Sequence, residues 1–250
     1  EDAEIDTGAV TGIGIGFPGP LDLNEGAILE TPNLGWEYVP LKERLTQSFG
    51  CPVSVINDVD AGVYGEYRCG AATGARCVLG VFPGTGIGGG CVYEGQIIRG
   101  ARASALEIGH MQVQPNGPLC GCGQRGCLEA VASRVAIAAA AASAAYRGEA
   151  PHLLQDKGMD LGSIRSGALG KAVREGDSVV EAILRDAAGW LGVGVANAAN
   201  LLAPDLVVIG GGLVEEFPDL FRDEVKKTAH SRAMPALREF KVVVSELGDD

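Results

Sequence analysis

Apolar runs of strand length alternate along this chain with segments of helix length, and that alternation restricts its fold more than any other feature. Residues 10–17, Val-Thr-Gly-Ile-Gly-Ile-Gly-Phe, read as a buried strand stopped by the turn-forming Pro18-Gly19-Pro20. A helix over 41–49 leads through Gly50-Cys51-Pro52 into a strand over 53–56, and a second helix runs on to about residue 68. A strand over 77–82 empties into a glycine run, with another strand at 91–93. An alanine-rich segment, 129–147, has no Gly or Pro inside and Gly148 as its stop, which predicts one helix. Asp177 is placed to cap a long helix over 178–202, and strands follow at 206–209 and 241–245. Such alternation predicts an α/β fold. With 46% apolar residues among 250, the chain can bury a sizeable core, and two lobes are expected.

Charge narrows the partners. A net charge of -12 disfavours a surface that neutralises nucleic-acid phosphates or lies on anionic lipid. Residues 1–7 are acidic where a signal peptide is basic, and no run approaches the roughly 18 uncharged apolar residues of a membrane span. A cytoplasmic protein is expected, with neither nucleic acid nor membrane as partner. Three of the seven cysteines fall between 120 and 127, which favours metal binding over disulfides in such a compartment.

Four groups of residues carry possible chemistry. Glycine makes up 38 of the 250 residues, well above the usual share of about 7%. In Gly84-Thr85-Gly86-Ile87-Gly88-Gly89-Gly90, several backbone N–H groups can converge without Cβ obstruction and Thr85 adds a hydroxyl, which suits a phosphate; a tight packing turn accounts for the same run. No Gly-Lys-Ser/Thr ending makes it a Walker loop. Gly210, Gly211 and Gly212 follow a strand and fit either the edge of a nucleotide or an ordinary strand-to-helix turn. His110, Cys120, Cys122 and Cys127 provide one imidazole and three thiolates, a set for closed tetrahedral, structural zinc, the alternative being three reduced cysteines in a loop. Asn57 and Asp58 stand at a strand's end, where open α/β sheets place ligands. An Asp just before a helix is commonly an N-cap, but phosphoryl transfer to an alcohol also needs a carboxylate to take the hydroxyl proton. Asp60 reads as a solvated or capping residue.

Taken in order, Pro32-Asn33-Leu34-Gly35-Trp36, Asn57-Asp58, the 84–90 glycine run, Glu107-Ile108-Gly109-His110 and Cys120-Gly-Cys-Gly-Gln-Arg-Gly-Cys127-Leu-Glu129 resemble the ROK family of sugar kinases over essentially the whole chain. The resemblance implies a two-lobed actin-like ATPase (ribonuclease H-like) fold with the active site in the central cleft. The smaller α/β lobe is expected at 1–75 and the larger, with the zinc loop, at 76–250. It further implies Asp58 as catalytic base, and Asn33, Asn57, Asp58, Glu107, His110 and Glu129 as sugar-binding groups. Gly84, Thr85 and Gly86 match the phosphate loop, and Gly210, Gly211 and Gly212 an adenosine-side motif. ATP, Mg2+ and structural Zn2+ are the implied cofactors, a hexose the substrate, and a homodimer is common among relatives. The family's opening Asp-x-Gly-Gly-Thr-Lys strand would precede residue 10, and a closing helix would follow residue 245; the smaller lobe is expected to lack both. Leu106 stands where glycine is more usual.

Two functions from different classes follow. One is ATP-dependent phosphorylation of a hexose, glucose at its 6-hydroxyl, with fructose, mannose or N-acetylmannosamine as other acceptors and polyphosphate as another donor. The other is a sugar-sensing transcriptional regulator whose DNA-binding domain lies outside this chain. A kinase is also expected to close its lobes on the sugar, excluding water from the γ-phosphate.

Overall fold

The computed structural model describes residues 7–19, 21–31, 35–100 and 105–248. Strand β1 (Ile13–Phe17) runs parallel to β5 (Val53–Asn57), with Ile13 opposite Val53. The expected strand over 10–17 therefore starts three residues late. Pro52 lacks an N–H to continue the ladder, and its carbonyl takes the last bond, from Ile13 N–H at 2.9 Å. Strands β2 (Leu21–Asp22), β3 (Ala27–Thr31) and β4 (Trp36–Val39) form a small antiparallel sheet. Helix α1 (Leu41–Phe49) follows, and Leu21, Ile28, Val53 and Val55 form a core of their own.

Helix α2 (Asp58–Cys69) leads to the larger sheet of β6 (Cys77–Pro83), β7 (Ile87–Tyr93), β8 (Gln96–Ile97), β9 (Leu206–Ile209) and β10 (Lys241–Val244). Its order is β10-β9-β6-β7-β8, parallel through β10, β9 and β6 and antiparallel beyond. Alternation along the strands divides two cores, as the period of two requires. Val78, Val92 and Val208 pack on Val63 of α2 on one face. Leu79, Val81, Val207 and Ile209 turn to the other. There the chain supplies helices α3 (Leu128–Ala132), α4 (Arg134–Tyr146), α5 (Pro151–Lys157), α6 (Ser166–Glu175), α7 (Ser178–Leu202), α8 (Gly212–Glu216) and α9 (Pro218–Arg232).

Two sequence expectations fail here for local reasons. The helix expected over 129–147 is two helices, broken at Ser133, whose ψ of 161° is extended and whose Oγ caps α4 at Ala136 N–H. A serine cap thus interrupts an alanine run that contains no Gly or Pro. Leu128–Tyr146 has the length and mean hydropathy, 1.4, of a membrane span, but half of it is buried in the protein.

Asp177 precedes α7 as expected but makes no side-chain cap there. Its carboxylate instead caps α5, which has Ala150 at its own N-cap position: Oδ2 accepts Leu153 N–H at 2.9 Å, and Oδ1 accepts His152 N–H at 3.3 Å and lies 2.8 Å from His152 Nδ1. Burial alone would push this carboxyl up; the N–H groups of Leu153 and His152 and the His152 ring outweigh it and hold the acid below its ordinary range. Asp177→Ala is expected to cost about 2 kcal/mol by leaving buried donors unmet. Because the folded pKa is depressed, that contribution is complete above the unfolded value of about 3.9 and fades as pH falls through the folded one. Urea unfolding of both proteins at pH 7 and near pH 3 checks this, and an equal difference at the two pH values would refute it.

Candidate functional site

The carboxyl ends of β5, β6 and β9 carry Asn57, Asp58 and the two glycine motifs singled out in the sequence. At the end of β5, Asn57 is extended (φ −64°, ψ 146°), and its Oδ1 accepts the N–H groups of Val59 at 2.9 Å and Asp60 at 3.2 Å. Asn57 is therefore the N-cap of α2. Asp58 is the first helical residue; it is exposed, and its carboxylate accepts the Val59 N–H at 2.9 Å. The capping explanation for Asp58 is thus taken over by its neighbour. Asp60, expected as a solvated or capping residue, is instead 1% exposed. It lies on the helix face turned to β7, where a side chain at Gly90 would approach its Oδ1.

The glycine run splits into two parts with different physics. Ile87, Gly88, Gly89 and Gly90 are strand, not loop. A Cβ at Gly88 would overlap Val59, so this glycine lets the first turn of α2 lie against the hairpin. Only Gly84, Thr85 and Gly86 form the tip, closed by Gly84 N–H donating to Gly86 O at 2.8 Å. Gly84 has neither a positive φ nor any crowding neighbour, so the fold itself does not require glycine there.

The second glycine turn lies beside the first. Gly210 N–H donates to Val81 O, and a side chain on Gly211, whose φ is 88°, would sit 3.1 Å from Pro83 O. Parallel pairing of β6 with β9 brings together two motifs some 125 residues apart in sequence.

The cysteine loop is a small knot of backbone bonds. Gly126 O accepts from Val113 and Gln114, Gly126 N–H donates to Pro118 O, and Cys120 N–H donates to Gln124 O. Gly126 has a φ of 74°, and any side chain there would strike the Gln114 carbonyl. His110 ends a 3-10 turn, Ile108–His110, that Glu107 opens; both Glu107 and His110 are exposed. One ligand atom each from His110, Cys120, Cys122 and Cys127 lies within 4.8 Å of the others. Cys120 Sγ is 3.7 Å from His110 Nδ1, and Cys122 Sγ is 3.7 Å from Cys127 Sγ. A zinc tetrahedron with bonds of about 2.3 Å to sulfur has edges of about 3.8 Å, so the donor set fits this ion. Burial pushes the Cys120 thiol up and the Cys127 thiol to about 12, while the Gln124 backbone lowers that of Cys122.

Glu129, in the first turn of α3, joins the loop to the glycine hairpin: Oε2 accepts Ile87 N–H at 3.2 Å, and Oε1 lies 3.6 Å from Cys120 Sγ. Leu106, just before Glu107, adopts φ 67°, the left-handed backbone that favours glycine and costs a leucine about 1 kcal/mol or more. Asn33 lies outside the described residues. Sequence reasoning missed Arg134, whose guanidinium donates to Thr85 Oγ1 at 2.8 Å. The available signal was Ser133, a capping residue that makes the next position the start of a helix.

Comparison with known proteins accounts for this arrangement. A putative xylose repressor from Caldicellulosiruptor sp. is 37% identical over 244 residues, 96% of this chain but 60% of that protein. A glucokinase from Halalkalibacterium halodurans is 36% identical over 243 residues, 96% of this chain and 72% of that protein. The chain thus spans about three fifths of the length of one relative and under three quarters of the other. Among solved structures, a ROK family glucokinase from Streptomyces griseus in complex with glucose and AMPPNP superposes with a TM-score of 0.82 at 35% identity, over 96% of this chain and 78% of that one. The fold is the actin-like ATPase fold of these sugar kinases. Since the sequence model of the ROK family also matches residues 1–250, the chain belongs to the ROK family.

Proposed function

We propose that this chain forms the core of an ATP-dependent sugar kinase that phosphorylates a hexose, with glucose at its 6-hydroxyl as the preferred acceptor. The observation that carries this reading is the division of labour at the start of α2: Asn57 caps the helix, leaving the exposed carboxylate of Asp58 for a substrate. Asp58 would orient the sugar hydroxyl and accept its proton as the phosphorus–oxygen bond forms. Asn33, Asn57, Glu107, His110 and Glu129 would pair with the remaining hydroxyls, since amides and carboxylates take or give paired hydrogen bonds. ATP would enter as its magnesium complex, that ion supplying neutralisation of phosphate charge. The Gly84–Thr85–Gly86 tip would hold the phosphates and Gly210–Gly212 the adenosine side. Zinc on His110, Cys120, Cys122 and Cys127 would be structural, fixing the loop that presents Glu107 and Glu129. A smaller lobe is supported by the separate core around Ile28 and Val55, while α2, expected in that lobe, packs its Val63 on the larger sheet.

The 37% identity to a putative xylose repressor favours a second reading, a sugar-sensing regulator. Sugar-dependent ADP release, measured with the full-length protein over glucose, fructose, mannose, N-acetylmannosamine and xylose, separates the two. Release with a hexose supports the kinase. Sugar binding without release from any of them would overturn it in favour of the regulator.

Gly84 offers a finer test. Since its Cβ meets no crowding neighbour, Gly84→Ala is expected to leave stability within about 0.5 kcal/mol. A methyl between the backbone donors and the phosphates should still raise the KM for ATP about tenfold, the loss of roughly one charge-assisted hydrogen bond. Steady-state kinetics alongside thermal melting checks both halves, and an unchanged KM would remove Gly84 from the phosphate site.

A further inference from the structure

The corner between α3 and α4 carries a cation that the reading above does not use. Arg134 opens α4, where its backbone N–H donates to Gly84 O at 2.9 Å and its Nη2 donates to Thr85 Oγ1 at 2.8 Å. On the other side of the same tip, Glu129 takes the N–H of Ile87. One helix corner therefore grips the hairpin tip from both sides. Ser133 fixes that corner: it is 3% exposed, and its Oγ holds the Ala136 N–H.

The hydrogen-bond inventory gives this grip a direction. A hydroxyl has one proton and two lone pairs. With a lone pair occupied by a guanidinium donor, the Thr85 oxygen is a poorer acceptor and its own proton a better donor. Thr85 is exposed at the tip, so that proton is available to an incoming anion. Arg134 also borders a cavity of about 300 Å3, shared with Arg165, Gly162 and the apolar Val135, Ala138 and Leu161. In a chain of net charge -12, two arginines as the charged residues lining this space favour an anionic guest.

We propose that Arg134 is a positioning residue for the phosphoryl donor, acting through Thr85: it turns the Thr85 hydroxyl into a fixed donor and stiffens the tip that receives the phosphates. This inference rests on the kinase reading and adds a residue to it. The planar guanidinium both carries charge and holds geometry, and a lysine ammonium supplies only the first.

The test is a double-mutant cycle in the full-length protein, with Arg134→Ala, Arg134→Lys, Thr85→Val and the Arg134→Ala/Thr85→Val pair. Arg134→Ala is expected to raise the KM for ATP about tenfold and to lower kcat several-fold. The KM for sugar and the melting temperature should stay unchanged, because the backbone bond to Gly84 survives in alanine. Arg134→Lys should recover part of the loss, and the double variant should be no worse than Thr85→Val alone, since both changes break one linked device. A wild-type KM for ATP in Arg134→Ala, a loss equal for sugar and ATP, or strictly additive effects would each overturn the proposal and leave the kinase reading intact. A wild-type protein that neither releases ADP with any sugar nor binds ATP by calorimetry would overturn both.

Discussion

Asp58→Asn is expected to lower kcat by about two to four orders of magnitude, the usual contribution of a positioned general base. Sugar affinity should change only a few-fold, because the amide oxygen still accepts a hydrogen bond from the 6-hydroxyl while losing the capacity to take its proton. The fold offers no competing explanation for such a loss. Asn57 caps α2 and Val59 packs against Gly88, so the helix start keeps its geometry in the variant. Turnover with the hexose that supports ADP release, together with calorimetric sugar titration, checks both expectations. A variant retaining a tenth or more of wild-type kcat would remove Asp58 from the role of base.

If zinc sits at this loop as proposed, its removal should have the second largest effect. The loop from Gly117 to Cys127 is exposed at most of its positions and rich in glycine, so little apolar burial offsets the entropy of ordering it. Cys127→Ser, or chelation, is expected to strip one zinc per chain and lower sugar affinity by about one to two orders of magnitude, the range seen when the shell around a metal is disturbed. The sugar side should suffer more than the ATP side. His110 would be a ligand itself, and Glu129 touches Cys120, whereas the second glycine turn hangs on the sheet through Gly210 N–H and Val81 O. Metal analysis with separate sugar and ATP titrations checks this. A protein that purifies without zinc, and binds sugar equally well as Cys127→Ser, would rule out the metal.

Local signals in the chain located about half of the elements, and not the β2–β4 sheet or helices α5, α6, α8 and α9. The helices Leu41–Phe49 and Ser178–Leu202 and the strand Leu206–Ile209 lie where their periodicity and end residues put them, because those signals are read within a few neighbouring residues. The four metal-ligand candidates were legible for the same reason, being clustered within eighteen positions and set among glycines.

What residues do at a distance was decided by packing. Asp177 precedes one helix but caps another 24 residues back, since α5 has no polar residue of its own at the cap position. Gly88 and Gly90, read as loop, are strand residues kept bare by α2. Glu66, unremarkable in the sequence, is 1% exposed and fastens the segment after β10 to α2 by accepting the N–H groups of Glu246 and Leu247. Arg134 meets Thr85 across 49 positions because a serine breaks the alanine run at that point. Periodicity and composition reach only as far as a turn of helix or a strand's neighbours, and each of these contacts depends on which surfaces the folded chain brings together.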